Sequence, residues 1–164
     1  MSRLGHPVAR AWDSWPWSLG RSPPSPVSYM SKLSPQEAMS IMLAAWKNDP
    51  VSFVRECLGA EADEWQVKAL EDIAQYDRIS IRSGHGVGKT TFLAWVILWF
   101  LVCWFPCKIP CTANSESQLR DILWAELRKW HRKMLPAFRD LLDVKTDLIE
   151  SKSNPAECFA VART

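Results

Sequence analysis

From Ser34 onward, apolar residues recur mostly at helical spacing, broken by four short runs of strand character. Ser34-Pro35-Gln36-Glu37 is a capping box with proline at the first helical position. The helix it opens carries Ile41, Met42, Ala45 and Trp46. Asp49-Pro50 caps a second helix through Phe53, Val54 and Leu58, and Gly59 ends it. Asp63-Glu64-Trp65-Gln66 caps a third, with Val67, Leu70, Ile73 and Ala74 on one face. Ile79-Ser80-Ile81 then predicts a first strand. Residues 92–105 are apolar without interruption, yet shorter than the ~20 residues a bilayer span needs, which predicts a buried core helix. Residues 108–113 predict a second strand, with Pro110 placing it at a sheet edge or a strand start. Ser115-Glu116-Ser117-Gln118 caps a long helix. Its apolar stripe is Leu119, Ile122, Leu123, Leu127, Trp130 and Met134, and Pro136 stops it. Residues 145–149 and 158–162 predict further strands.

Three helices followed by alternating strands and helices predict an α/β fold preceded by a small helical segment, either a subdomain or a lid. Residues 1–29 belong to neither part. There Trp12-Asp13-Ser14-Trp15-Pro16-Trp17 and Ser22-Pro23-Pro24-Ser25-Pro26 show no helical or strand period, the mark of a segment too poor in regular burial to order itself. They also lack the continuous apolar core of a secretory signal. Because Met30 begins a far more regular sequence, the expected organisation is a disordered leader over 1–29, not native to the protein, helices over 30–76 and an α/β domain over 77–164.

Charge changes this picture little. The net charge of +2 is that of the leader, where Arg3, Arg10 and Arg21 face Asp13, so the remainder balances and announces no nucleic-acid binder. Cys57, Cys103, Cys107, Cys111 and Cys158 are odd in number and lie in apolar surroundings, which reads as reduced thiols in a cytoplasmic protein. Cys103, Cys107 and Cys111 are evenly spaced but have no second cluster to complete a metal site. Arg128, Lys129, Arg132 and Lys133 surround His131 near the end of the long helix. They suit a solvated helix C-terminus, or alternatively contact with a phosphate backbone.

The candidate chemistry sits at Ser83-Gly84-His85-Gly86-Val87-Gly88-Lys89-Thr90. A strand, a glycine-rich loop ending in Gly-Lys-Thr and then a helix is the arrangement that cradles phosphates. Glycines let backbone N–H groups turn inward, and the helix N-terminus adds partial positive charge. Lys89 is expected to reach the β- and γ-phosphates and the Thr90 hydroxyl to bind Mg²⁺. Ser83 stands where the pattern places its first glycine. The expected fold is therefore a P-loop NTPase with a parallel sheet flanked by helices. Hydrolysis at such a loop needs an acidic residue at a later strand end and a carboxylate to orient water. No apolar run ending in paired carboxylates follows Lys89, so the expected domain is incomplete and unable to finish hydrolysis alone.

From about Trp46 the chain resembles the N-terminal part of the ATPase domain of phage terminase large subunits, the motors that package double-stranded DNA. The matching features are Trp46, Pro50, Phe53 and Leu58-Gly59; Glu64-Trp65-Gln66; Arg82 through Thr90; Thr112-Ala113-Asn114-Ser115 with Gln118 and Leu123-Trp124; and Ala162-Arg163-Thr164. The resemblance implies ATP and Mg²⁺ as ligands, and Gln66 as the amide that reads the adenine edge alongside its capping position. It also implies a γ-phosphate-sensing role for Arg82, set against an ordinary strand-end charge, and a contact from Arg163 to a neighbouring subunit in a ring, set against a local ion pair. The implied partners are double-stranded DNA, a small terminase subunit and a portal or procapsid, in the cytoplasm of a bacterial host. The family's Mg²⁺ aspartate, catalytic glutamate and nuclease domain have no counterpart in the sequence. A helicase-type ATPase shares the glutamine-then-loop order, and a non-catalytic nucleotide-binding protein is a further alternative.

Overall fold

The computed structural model describes residues 34–82, 84 and 86–163. The leader therefore lies outside the described residues, as do Ser83, His85 and Thr164. Helix α1 is Pro35–Trp46, opened as expected by Ser34, whose Oγ accepts from the Glu37 N–H while Glu37 Oε2 accepts from the Ser34 N–H. The chain divides into two compact units between Ala45 and Trp46.

The second unit holds everything else. Helix α2 is Pro50–Cys57, with Asp49 Oδ1 accepting from the Ser52 N–H at 2.9 Å, and α3 is Glu64–Gln75, with its capping box formed by Asp63 and Gln66. Gly59, at φ 62°, takes the positive φ just past the end of α2. Helix α4 is Lys89–Cys103, and it is apolar on almost every face because almost every face is covered. Phe92, Ala94, Trp95, Ile97, Leu98, Trp99 and Leu101 are buried. Trp46 lies at the base of this core, fully buried between Phe53 (ring centroids 5.5 Å apart) and Phe138 (4.9 Å). Its indole N–H donates to Glu56 Oε2 at 2.8 Å, and its carbonyl accepts from Trp99 Nε1 at 2.7 Å.

Strand β1 (Cys107–Thr112) follows, then a helical stretch that begins as a seven-residue π-helix, Gln118–Trp124, and continues as α5, Ala125–Lys133. Pro136 does not merely stop the long helix but starts a short one, α6 (Pro136–Arg139). A hairpin of β2 (Leu142–Val144) and β3 (Leu148–Ser151) leads to β4, Cys158–Arg163. The segment expected as one strand over 145–149 thus splits between the hairpin turn and β3.

Two expectations about the sheet are corrected. The sheet is α/β in setting but mixed in direction, with order β1-β4-β3-β2. Only β1 and β4 run parallel, whereas β4–β3 and β3–β2 are antiparallel. The reason is local: three residues between β2 and β3 are enough for a hairpin, and a hairpin can only pair antiparallel. Pro110 does lie on an edge strand, where its missing N–H is tolerated. The second correction concerns residues 79–81, which form no strand. Ile79 is 38% exposed, and none of the four described strands lies alongside this segment to supply ladder hydrogen bonds.

The five cysteines are free thiols, four of them buried. Burial pushes Cys57 and Cys103 up to about 12, and Cys107 and Cys111 up to about 11, so none is a thiolate at neutral pH. Among the described residues no helix is long and apolar enough to cross a membrane.

A candidate phosphate-binding loop at the start of helix α4

Gly86 and Gly88 both adopt positive φ, 78° and 84°, and turn the chain directly into α4. Gly88 is the N-cap, and no side chain caps the helix. The Phe92 N–H closes the first helical turn on the Gly88 carbonyl at 3.0 Å, so the leading N–H groups of α4 fall outside its own i→i−4 bonding. They converge on the loop with the partial positive charge of the helix terminus. Lys89 turns back across the loop and donates from Nζ to the Gly84 carbonyl. Its ammonium is thereby held at the mouth of the loop.

Gln66 braces the loop from behind. It is 3% exposed, its Oε1 accepts from the Asp63 N–H at 2.9 Å, and its Nε2 donates to the Gly88 carbonyl at 3.4 Å. The capping role read from sequence is present, and the same amide ties α3 to the loop. A Cβ at Gly88 would lie 3.0 Å from Gln66 Nε2 in a backbone conformation that side chains disfavour. Gly88→Ala is therefore expected to cost about 1–2 kcal/mol, chiefly from the left-handed φ. Urea melts showing no loss of stability would contradict this placement of the loop.

Val87 and Arg82 are exposed, and Arg82 precedes the loop as expected. Arg163 is also exposed, at the end of β4, where it pairs in register with Thr112. Ser83 and His85 lie outside the described residues.

A cleft of about 280 Å³ is lined by Gly86, Gly88, Lys89 and Thr90 together with Ile122 and Glu126. Ile122 was read from sequence only as part of the helix's apolar stripe, and Glu126 was not singled out. Glu126 Oε1 accepts from Thr91 Oγ1 at 2.7 Å, from Trp130 Nε1 at 2.7 Å and from Lys129 Nζ at 2.9 Å. Burial alone would raise its pKa, but the hydrogen bonds from Lys129, Thr91 and Trp130 together with the Lys129 charge hold it below the usual carboxylate range. It is an anion at neutral pH. The only sequence signal was its helical spacing, one turn before Trp130. The π-helix immediately upstream widens the turn that presents Ile122, 54% exposed, to the cleft.

The basic stretch of α5 is largely engaged within the molecule. Arg128 donates to the Lys145 and Thr146 carbonyls at 3.2 and 2.8 Å and so fixes the β2–β3 turn. The ammonium of Lys133 lies 4.5 Å from the Trp130 ring centroid. His131 Nε2 donates to the Arg139 carbonyl at 3.0 Å, and burial outweighs that bond to leave its pKa below the ordinary value.

Searches against protein-family models, curated proteins and solved structures found no match.

Proposed function

We propose that this chain is the N-terminal ATPase part of a phage terminase large subunit, with a P-loop NTPase fold, binding ATP with Mg²⁺ for the packaging of double-stranded DNA. The observation that carries the phosphate reading is the loop itself. Two positive-φ glycines and the first residues of α4, Lys89 and Thr90, line one cleft at a helix N-terminus with no side-chain cap. Backbone N–H groups would bind the phosphate oxygens, and Lys89 would exchange the Gly84 carbonyl for a phosphate. The Thr90 hydroxyl lines the same cleft and is the hard oxygen donor Mg²⁺ takes, so the residues fit the ion. When bound, Mg²⁺ would neutralise charge on the β- and γ-oxygens. Support for a DNA-packaging motor in particular is the order of residues from Trp46 through Arg163.

A second reading, nucleotide binding without turnover, is favoured by one observation. The segment leading into the loop, residues 78–82, has no strand beside it among the described residues, so the loop is braced by Gln66 and not by a sheet. Calorimetric titration of the full chain with Mg²⁺–ATP, paired with a steady-state phosphate-release assay, separates the outcomes. Binding with release supports an ATPase, and binding without release supports the second reading. No binding of any nucleoside triphosphate would remove both.

A further inference from the structure

An ionised carboxylate is an unexpected wall for a phosphate cleft. Glu126 lines the same cleft as Gly86, Gly88, Lys89 and Thr90. It is fixed there by three donors on Oε1, so it cannot swing away without breaking bonds to Thr91 and to Trp130. Lys129 offsets part of the charge, but that ion pair is half open to water, with the lysine side chain 48% and the glutamate side chain 19% exposed. A triphosphate entering the cleft alone would meet a like charge at short range, and repulsion of that kind is strong where water is partly excluded. A divalent cation between the two anions reverses the sign of the interaction.

We propose that Glu126 makes nucleotide binding at this loop conditional on a divalent cation, acting as the carboxylate that faces the ion, directly or through a water, in the cleft it lines with Thr90. The inference rests on the phosphate reading of the loop and deepens it: the ligand is the metal–triphosphate complex, and the metal-free anion is turned away. Glu126 is a positioning residue here, since it acts on the ion and not on the reacting phosphate. Thr91 gains a role as well, because its hydroxyl ties the carboxylate to the first turn of α4.

The test is ATP affinity of the full chain, with Mg²⁺ and with EDTA, in wild type, Glu126→Gln and Glu126→Asp. Glutamine keeps an oxygen to accept from Thr91 and Trp130 while removing the charge. The expected result is a selective change. Mg²⁺–ATP binding weakens by about ten- to a hundredfold, in the range for groups that orient or tune a metal site, while metal-free ATP binding is unchanged or tighter. Aspartate restores part of the Mg²⁺ dependence. Equal losses with and without Mg²⁺ would show a purely structural role and overturn the proposal. Equal affinity of the wild type for ATP with and without Mg²⁺ would overturn it without recourse to any variant. If wild type binds ATP in a Lys89-dependent way and Glu126→Gln leaves its Mg²⁺ dependence intact, this inference fails alone. If wild type binds no ATP, the phosphate reading fails with it.

Discussion

Lys89→Ala is expected to weaken Mg²⁺–ATP binding by about a hundredfold while leaving the melting transition of the protein unchanged. The magnitude follows from losing one charge-assisted contact to phosphate, about 1.5–3 kcal/mol, where every 1.4 kcal/mol is tenfold. The unchanged melt follows from where the side chain sits. Lys89 donates to the Gly84 carbonyl at an exposed loop. Phosphate charge, helix terminus and ammonium act on the same few oxygens, so removing the ammonium leaves a weaker anion site and not an absent one. Isothermal calorimetry measures the first quantity and thermal or urea melts the second. Wild-type affinity in Lys89→Ala would mean that the loop does not hold phosphate in the manner proposed. A collapse of the melt would mean that the lysine is structural.

The second large effect concerns the core beneath the loop. Trp46→Ala is expected to destabilise the protein by about 3–5 kcal/mol, the range for removing a buried aromatic side chain. Native domains are stable by only about 5–15 kcal/mol, so the variant should be partly unfolded or nearly so at 37 °C. The placement of Trp46 argues for the upper half of that range. It is fully buried, it contacts Phe53 and Phe138, and its indole N–H satisfies Glu56. Trp46→Phe separates the terms. It keeps most of the apolar contact and loses the hydrogen bond, so it should cost roughly 1–2 kcal/mol, between wild type and alanine. The bond from Trp99 should survive both changes, because its acceptor is the Trp46 backbone carbonyl. Urea denaturation followed by far-ultraviolet circular dichroism gives the three midpoints. Alanine and phenylalanine variants of equal stability would show that the packing around Trp46 carries little of the energy.

These predictions separate two layers of the molecule. Residues on the loop set ligand affinity with little effect on stability, whereas Trp46, Phe53, Trp99 and Phe138 set stability with no side chain in the cleft. Gly88 joins the layers. Its positive φ shapes the cradle, and its carbonyl receives the Gln66 amide that fixes the loop on α3. A substitution there is expected to disturb both readouts, unlike Lys89→Ala or Trp46→Phe.

Much of the architecture was legible because it is written in short-range chemistry. The capping boxes at Ser34 and Asp63, the Asp49 cap and the turn at Gly59 each depend on residues within one turn of each other, and each formed as read. The uninterrupted apolar stretch became a helix buried on most of its faces, and Pro110 fell on an edge strand. The glycine-rich loop entered α4 at Lys89, because Gly-Lys-Thr after left-handed glycines leaves the chain few other courses.

What the tertiary structure alone decided was which distant groups face one another. Residues 79–81 have strand composition, but a strand exists only with a partner beside it, and among the described residues none lies there. The parallel sheet expected from alternating elements became mixed because β2, too short at three residues to stand out in sequence, forms a hairpin with β3. Gln66 reads as a cap in the chain, yet its second bond crosses to Gly88 only once α3 packs behind the loop. Glu126 shows this most plainly. In the sequence it is one acidic residue on an amphipathic helix, and nothing in its neighbours marks it. Packing of α5 against α4 brings its carboxylate to Thr91 and into the cleft, because hydrogen bonds to a fixed anion select one helix position over all others. The sequence by itself determined a glycine-rich turn into α4, because its chemistry is local, and the fold determined that the Glu126 carboxylate lies beside it.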